Sequence, residues 1–108
     1  MTDSTSSVAL CRYHVKLGME QEFERVIANH LPKLRDRHLI ADRPPHLLFR
    51  GETEAGQTYY VEIVAWADRE AASRAHEDPD VMRVWGELGL LCDEMDFPHV
   101  EEVTLAPT

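Results

Sequence analysis

The sequence has no excess of basic residues and little cysteine, and each shortage excludes a class of partner or site. Its 108 residues include 20 acidic and 11 basic side chains, for a formal net charge of −9. Because this charge opposes binding to phosphate backbones and anionic lipid, neither nucleic acid nor a membrane is an expected partner. Cys11 and Cys92 lie far apart, without the close Cys or His spacing of a zinc site. We therefore expect reduced, partly buried thiols and a cytoplasmic protein.

The common motifs of cofactor and covalent chemistry are also missing. The sequence contains no glycine-rich phosphate loop, no Gly-x-Ser-x-Gly elbow and no Cys-x-x-Cys pair. No two histidines stand four apart on a predicted helix, so we expect no metal site. These absences predict that no cofactor is bound. They fit a small cofactor-free enzyme and a protein with no catalytic activity equally well.

No apolar run approaches the length of a membrane-spanning helix. Residues 1–7 lack the basic region followed by an apolar stretch that marks a signal peptide, so we expect them to form a disordered tail. The remaining length suits one hydrophobic core. We therefore expect a single domain over residues 8–105.

Four segments have the composition of strands. The third is rich in β-branched and aromatic residues and carries one charge, Glu62, which is typical of a strand covered on both faces. A polar loop that ends in Gly56 separates the second and third segments and predicts an antiparallel hairpin. The predicted strands are Val8–Val15, His46–Glu52, Gln57–Trp66 and His99–Leu105.

The first helix begins after Gly18, with acidic residues in its first turn. A stripe at helical spacing contains five apolar residues and one histidine, His30. Pro32 removes a backbone donor and should kink or divide this helix, which extends to about Arg37. The stripe consists of Phe23, Val26, Ile27, His30, Leu31 and Leu34.

The second helical region is predicted to be split. Asp68 stands at the N-cap of an alanine-rich helix that ends near Glu77. Asp78, Pro79 and Asp80 then form a second start signal, because an N-cap acid and a proline at the first helical position suit the exposed amides there. The apolar face of the restarted helix contains Val81, Val84, Trp85, Leu88, Leu91 and Cys92.

These elements follow the order βαββαβ, which predicts a ferredoxin-like α+β fold with a four-stranded antiparallel sheet and helices on one side. So small a domain has no element left to cover the other face of the sheet. A second copy of the chain would supply that cover, and we therefore expect a homodimer built as a dimeric α+β barrel.

One stretch of the sequence resembles a known family. A strand ending in Trp is followed by a polar, acidic and alanine-containing helix, then by a His about ten residues after the Trp and a Pro soon afterwards. In this pattern the chain is similar to the antibiotic biosynthesis monooxygenase-like (ABM) proteins of the dimeric α+β barrel group. The resemblance implies the fold and a homodimer, and similar proteins include cofactor-free oxygenases that act on aromatic polyketides or quinols. The matching residues are Trp66, Asp68, Glu70, Ala71, His76 and Pro79.

Two histidines are the candidate catalytic residues. His76 could exchange a proton with a phenolic or enolic substrate, or it could be a helix-terminal residue that caps carbonyls or packs against the sheet. His30 is a titratable group in the middle of an apolar stripe. It could line a cavity, or it could be a buried histidine bonded to a backbone carbonyl or a cross-strand partner.

Four further residues are candidates for substrate binding: Trp66, Trp85, Tyr60 and Glu62. Both tryptophans could wall a pocket for a flat ligand. Alternatively, Trp66 is core or dimer-interface packing and Trp85 is core packing, which is the commoner role of such side chains. Alternation places Glu62 on the same face as Tyr60 and Trp66. Its expected partner is Arg12 or His14 across the sheet. It could act as a base with a raised pKa or form an ion pair across the dimer interface.

Two hypotheses of function follow. The first is a cofactor-independent monooxygenase-like enzyme that binds a small aromatic or quinol substrate between helices and sheet, forms its anion and lets dioxygen react with it. The second is a non-catalytic dimeric module that binds a small molecule or stabilises a larger assembly. A cavity in which His30 and His76 converge would favour the first hypothesis, and a filled core would favour the second.

Overall fold

The computed structural model describes residues 7–106. The tail expected over residues 1–7 lies outside this range except for Ser7, which is the first residue of a strand. None of the helices in the described part of the chain combines the length and the apolar character needed to cross a bilayer.

The chain forms an α+β fold with an antiparallel sheet, as predicted. The four longer strands lie in the order β2-β3-β1-β4, and a short fifth strand in the described range pairs with β1. The elements are β1 (Ser7–Val15), α1 (Glu20–Ile27), α2 (His30–Asp36), β2 (Leu47–Glu52), β3 (Thr58–Trp66), α3 (Ala71–His76), α4 (Pro79–Leu91), β4 (Cys92–Asp96) and β5 (His99–Val100).

The C-terminal strand differs from the prediction. The fourth long strand is Cys92–Asp96, directly after α4, and only His99 and Val100 of the predicted His99–Leu105 strand pair with the sheet. Cys92 keeps the helical spacing of α4, which hid the change from helix to strand. The acidic composition of β4 also concealed it, since Asp93 and Glu94 are exposed.

The first helix is divided, although the break does not fall at Pro32. Ala28 and Asn29 separate α1 from α2, so Pro32 is the third residue of the second helix. A proline is tolerated in the first turn because the amide there has no intrahelical partner. The consequence is that His30 becomes the first residue of α2.

The restart after α3 follows its sequence signal. The side chain of Asp78 accepts hydrogen bonds from the backbone amides of Asp80 and Val81, and Pro79 is the first residue of α4. Arg37, at the C-terminal end of α2, bonds the same cap, with Nε 2.9 Å from Oδ2 of Asp78, and also contacts Asp80. The N-terminus of α4 is therefore tied to the end of α2.

The core lies between the helices and one face of the sheet. Alternate residues of β1 and β3 are buried on this inner face. They pack against the predicted stripe of α1 and α2, whose members are buried except for the partly exposed Leu31. Glu62 and His30 are the buried polar or charged residues of the described core. The inner-face residues of β3 are Tyr60, Glu62, Val64 and Trp66.

The opposite, outer face of the sheet is apolar and partly open. Strand register places Leu47 beside Ile63 and Phe49 beside Val61. Leu47 is 45% exposed and Phe49 is 56% exposed. The face without a cover that the sequence predicts is therefore present in the single chain.

Candidate functional site

A cavity of about 190 Å³ lies between the inner face of the sheet and the helices. Its walls include His30 from α2, Trp66 from β3, His76 from α3 and Trp85 from α4. Four of the six candidate site residues therefore line one cavity. Cys11 and Tyr13 of β1 also line it.

His30 is buried and is held at both ring nitrogens. Its Nδ1 lies 2.8 Å from Oε2 of Glu62, and the indole Nε1 of Trp85 donates to its Nε2 at 2.8 Å. Since an indole N–H can only donate, Nε2 must be the unprotonated acceptor. The proton of the neutral ring is therefore on Nδ1, where it is donated to Glu62.

Glu62 is the centre of a buried cluster. Its Oε1 accepts from the hydroxyl of Tyr13 at 2.6 Å, and its Oε2 lies 2.8 Å from His30 and 2.7 Å from Nε2 of His46. Burial acts to raise the pKa of Glu62, but the hydrogen bonds from His30, His46 and Tyr13 outweigh it and lower the pKa to about 2. Glu62 is an ionised carboxylate at neutral pH, which makes it a weak base.

Two expectations for Glu62 are therefore wrong. Its pKa is lowered instead of raised, because three donors surround the carboxylate. Its partner is neither Arg12 nor His14. Arg12 points away from the inner face and binds Asp96, with Nε 2.9 Å from Oδ1, and His14 stacks on Tyr59. Glu62 lies behind His30, one hydrogen bond away from the cavity.

His76 is at the exposed rim of the cavity. It is the last residue of α3, and its ring meets the edge of Trp85 with centroids 4.9 Å apart and an interplanar angle of 69°. Trp66 is only 6% exposed at the end of β3. The two tryptophans therefore supply flat apolar walls, while the two histidines supply the polar groups.

Tyr60 lies on the other side of the Glu62 cluster. It lines an open groove of about 650 Å³ between the first two helices and strands β2 and β3. Its hydroxyl donates to Glu24, and burial together with that hydrogen bond raises the pKa of Tyr60 to about 12. The structure thus places Tyr60 apart from the cavity that holds His30 and His76.

His46 and Tyr13 are the members of the site that sequence reasoning missed. His46 stands two residues before Leu48, which pairs with Glu62 across the β2–β3 register. Alternation along the predicted hairpin would have placed His46 on the same face as Glu62. The signal was therefore present, but it depended on the register of the two strands.

The cysteines are free, and both are buried more completely than the partial burial that we expected. Burial, followed by the Glu62 charge, raises the pKa of Cys11 to about 12, so this cavity-lining thiol stays protonated. Within residues 7–106 no group of three or more His, Cys, Asp or Glu side chains has an arrangement that could hold a metal ion.

No protein-family model and no curated protein matches this sequence. Solved structures match over nearly the whole chain. SnoaB, a cofactor-independent oxygenase from Streptomyces nogalater, has a TM-score of 0.73 at 19% identity, covering 97% of this chain and 100% of its own. An antibiotic biosynthesis monooxygenase has a TM-score of 0.72 at 15% identity over 91% and 99% of the two chains. PA3566 from Pseudomonas aeruginosa has a TM-score of 0.72 at 14% identity over 96% and 100%.

At these identities the likeness shows the fold. The chain has the α+β fold of antibiotic biosynthesis monooxygenases, and the resemblance carried by the segment from Trp66 to Pro79 is confirmed at that level. A shared fold does not transfer a reaction, because function depends on the residues of the site.

Proposed function

We propose that the protein is a cofactor-independent, monooxygenase-like enzyme that acts on a small aromatic or quinol substrate. The observation that carries the proposal is the convergence of His30, His76, Trp66 and Trp85 on one cavity, with His30 backed by the ionised carboxylate of Glu62. In this proposal a flat ring lies against the tryptophan walls, and a hydroxyl on that ring bonds an imidazole.

The first step is removal of a proton from the substrate. A phenolic hydroxyl takes the place of the Trp85 indole at Nε2 of His30 and donates its proton there. Glu62 stabilises the imidazolium that forms, since it already accepts from Nδ1 at 2.8 Å. This is the division of roles in which a buried carboxylate orients a histidine base and stays ionised.

The second step is the reaction of dioxygen with the substrate anion. Dioxygen adds to a ring carbon that bears hydrogen, and the peroxide takes up a proton. Loss of water from this hydroperoxide leaves a carbonyl, so a phenol and dioxygen give a quinone and one water. The substrate supplies all the electrons. His76, which lines the cavity at its rim, donates a hydrogen bond to a second oxygen of the substrate in this proposal.

A non-catalytic small-molecule-binding module is the second candidate. It is favoured by the complete hydrogen bonding of His30, because Trp85 already occupies the nitrogen that would act as the base. In such a module the ligand would lie against the tryptophans and leave the indole–imidazole bond intact.

We also propose that the protein is a homodimer in which the outer sheet faces of two copies meet. The exposed Leu47 and Phe49 support this arrangement, because an apolar patch on a central sheet is typical of an association surface. The buried free thiols of Cys11 and Cys92 support a reducing compartment such as the cytoplasm as its location.

The test is dioxygen consumption with a panel of one- and two-ring phenols and hydroquinones, followed by mass analysis of products made under ¹⁸O₂. We expect turnover with one labelled oxygen in the product, and we expect His30→Gln to lower kcat/KM by about 10²–10⁴-fold. The matched control is His38→Asn, since His38 is exposed and lies outside the cavity. Saturable ligand binding without dioxygen consumption would support the binding module instead.

A further inference from the structure

The Glu62 cluster joins two separate spaces. His30 faces the cavity, whereas His46 lines the groove between the first two helices and strands β2 and β3. Both rings bond the same atom, Oε2 of Glu62, at 2.8 and 2.7 Å. The side chain of His46 is 19% exposed, while those of His30 and Glu62 are 3% and 0% exposed. His46 is therefore the member of the cluster that exchanges protons with water.

The hydrogen bonds rank the two histidines as proton acceptors. The Trp85 indole occupies Nε2 of His30 as a donor, so His30 can take a second proton there only when the indole is displaced. Among residues 7–106 no donor occupies a ring nitrogen of His46, whose Nε2 donates to Glu62. When no substrate is bound, a proton that reaches the Glu62 cluster from water is therefore taken up by His46.

We propose that His46 is a positioning residue that shares one positive charge with His30 through Glu62. When His30 takes a proton from the substrate in the cavity, His46 releases a proton to water in the groove. The inference rests on the proposed function for its substrate proton, but the coupling of the two rings is a property of the resting protein.

Electrostatics requires the charge to be shared. One carboxylate can neutralise one imidazolium, and a second imidazolium on the same oxygen would repel the first at close range. In the part of the chain that the structure describes, the groups that act on Glu62 are His30, His46 and Tyr13, and none of them is an anion. Burial and the Glu62 charge raise the pKa of Tyr13 well above its ordinary value, so Tyr13 stays a neutral donor. The other titratable groups that line the two spaces are Cys11, Glu24, Arg50, Tyr60, His76 and His99.

Glu24 and Arg50 do not disturb this balance. They come from α1 and β2 at the groove, where Nη1 of Arg50 lies 3.0 Å from Oε2 of Glu24, so they neutralise each other. The net charge of the Glu62 cluster therefore depends on the protons of His30 and His46. The pair provides a route by which positive charge passes from the cavity to the groove.

The experiment is a pH titration of the full-length protein labelled with ¹⁵N in histidine, in which NMR reports the protonation of each ring nitrogen. In the wild type we expect His46 to become charged first as the pH falls, with His30 keeping its proton on Nδ1. In His46→Gln the whole Glu62 charge is available to His30. His30 should then become charged at a pH higher by at least about one unit than in the wild type.

The control variant His38→Asn should leave both titrations unchanged. His46→Asn provides a second version of the test if His46→Gln does not fold. A His30 titration that is the same in wild type and in the His46 variants would overturn the inference, as would charging of His30 before His46 in the wild type.

The oxygen assay distinguishes this inference from the proposed function. If a substrate is turned over, His46→Gln should shift the pH profile of kcat while KM changes less than twofold. A shifted His30 titration without any turnover would support the shared charge and would contradict only the enzyme proposal. An unchanged His30 titration together with turnover would overturn the shared charge and would support the enzyme proposal.

Discussion

The two faces of the same sheet differ in polarity and in burial. On the inner face, β3 places Glu62 in full burial, and every oxygen of its carboxylate has a donor. On the outer face, the same strand alternates to Val61 and Ile63, beside apolar residues that water still reaches. The comparison shows that period-two alternation separates a polar cluster from an exposed apolar surface within nine residues of chain.

The largest expected effect comes from removing the carboxylate of Glu62, which lies at the centre of the inner face. Glu62→Ala leaves Tyr13, His30 and His46 without their shared acceptor inside the core. We expect a loss of about 3–5 kcal/mol in the free energy of unfolding, measured by urea denaturation. Glu94→Ala, an exposed acid on β4, should stay within about 0.5 kcal/mol of the wild type. Equal effects of the two substitutions would show that the cluster does not stabilise the fold.

The pH dependence of the unfolding free energy is a second test of the contribution of Glu62. The folded pKa of Glu62 is about 2, below its ordinary value of 4.5, so its contribution is present above about pH 4.5 and is lost as the pH falls towards 2. The loss over this window should be about 3 kcal/mol. We expect the difference between wild type and Glu62→Gln to shrink over this window in unfolding titrations. A difference that does not change with pH would contradict the lowered pKa.

A substitution on the outer face should change the self-association of the protein. Phe49→Ser removes an exposed aromatic ring from the proposed interface and should weaken self-association by about 10–100-fold, or about 1.4–2.7 kcal/mol. Sedimentation equilibrium measures the change. Leu90→Ser is the matched control, because Leu90 is 75% exposed on α4. A monomeric wild type, or equal weakening by both variants, would count against an interface on this face.

The smallest expected effect concerns one hydrogen bond. Trp85→Phe keeps an aromatic wall and removes the indole N–H that binds His30. We expect a loss of about 1 kcal/mol in unfolding free energy. The ¹⁵N signal of Nε2 of His30 should also move, because its donor is gone. An unchanged Nε2 signal would mean that the indole does not hold this nitrogen in solution.

Sequence reasoning succeeded where local chemistry decides the structure. Asp78 and Pro79 start α4 because the cap and the fixed backbone angle act within one turn. The face of Glu62 was also predictable, because it requires only alternation along one strand.

It failed where the outcome depends on distant pairing. His46 reaches Glu62 through the β2–β3 register, so alternation along the hairpin identifies the contact only once that register is known. The final strand was misplaced because Cys92 continues a helical pattern and still pairs with Val15 across the sheet. Tyr60 was assigned to the pocket from its face alone, although the side chains of that face divide between two spaces.

The tie between Arg37 and the N-terminus of α4 reaches further than the cap. Arg37 closes α2, which begins with His30, and Asp78 opens α4, which carries Trp85. The guanidinium and the carboxylates are partly accessible to solvent, so dissolved salt screens their attraction. We therefore expect rising ionic strength to weaken the tie between these two helices, which carry the imidazole and the indole of the buried contact.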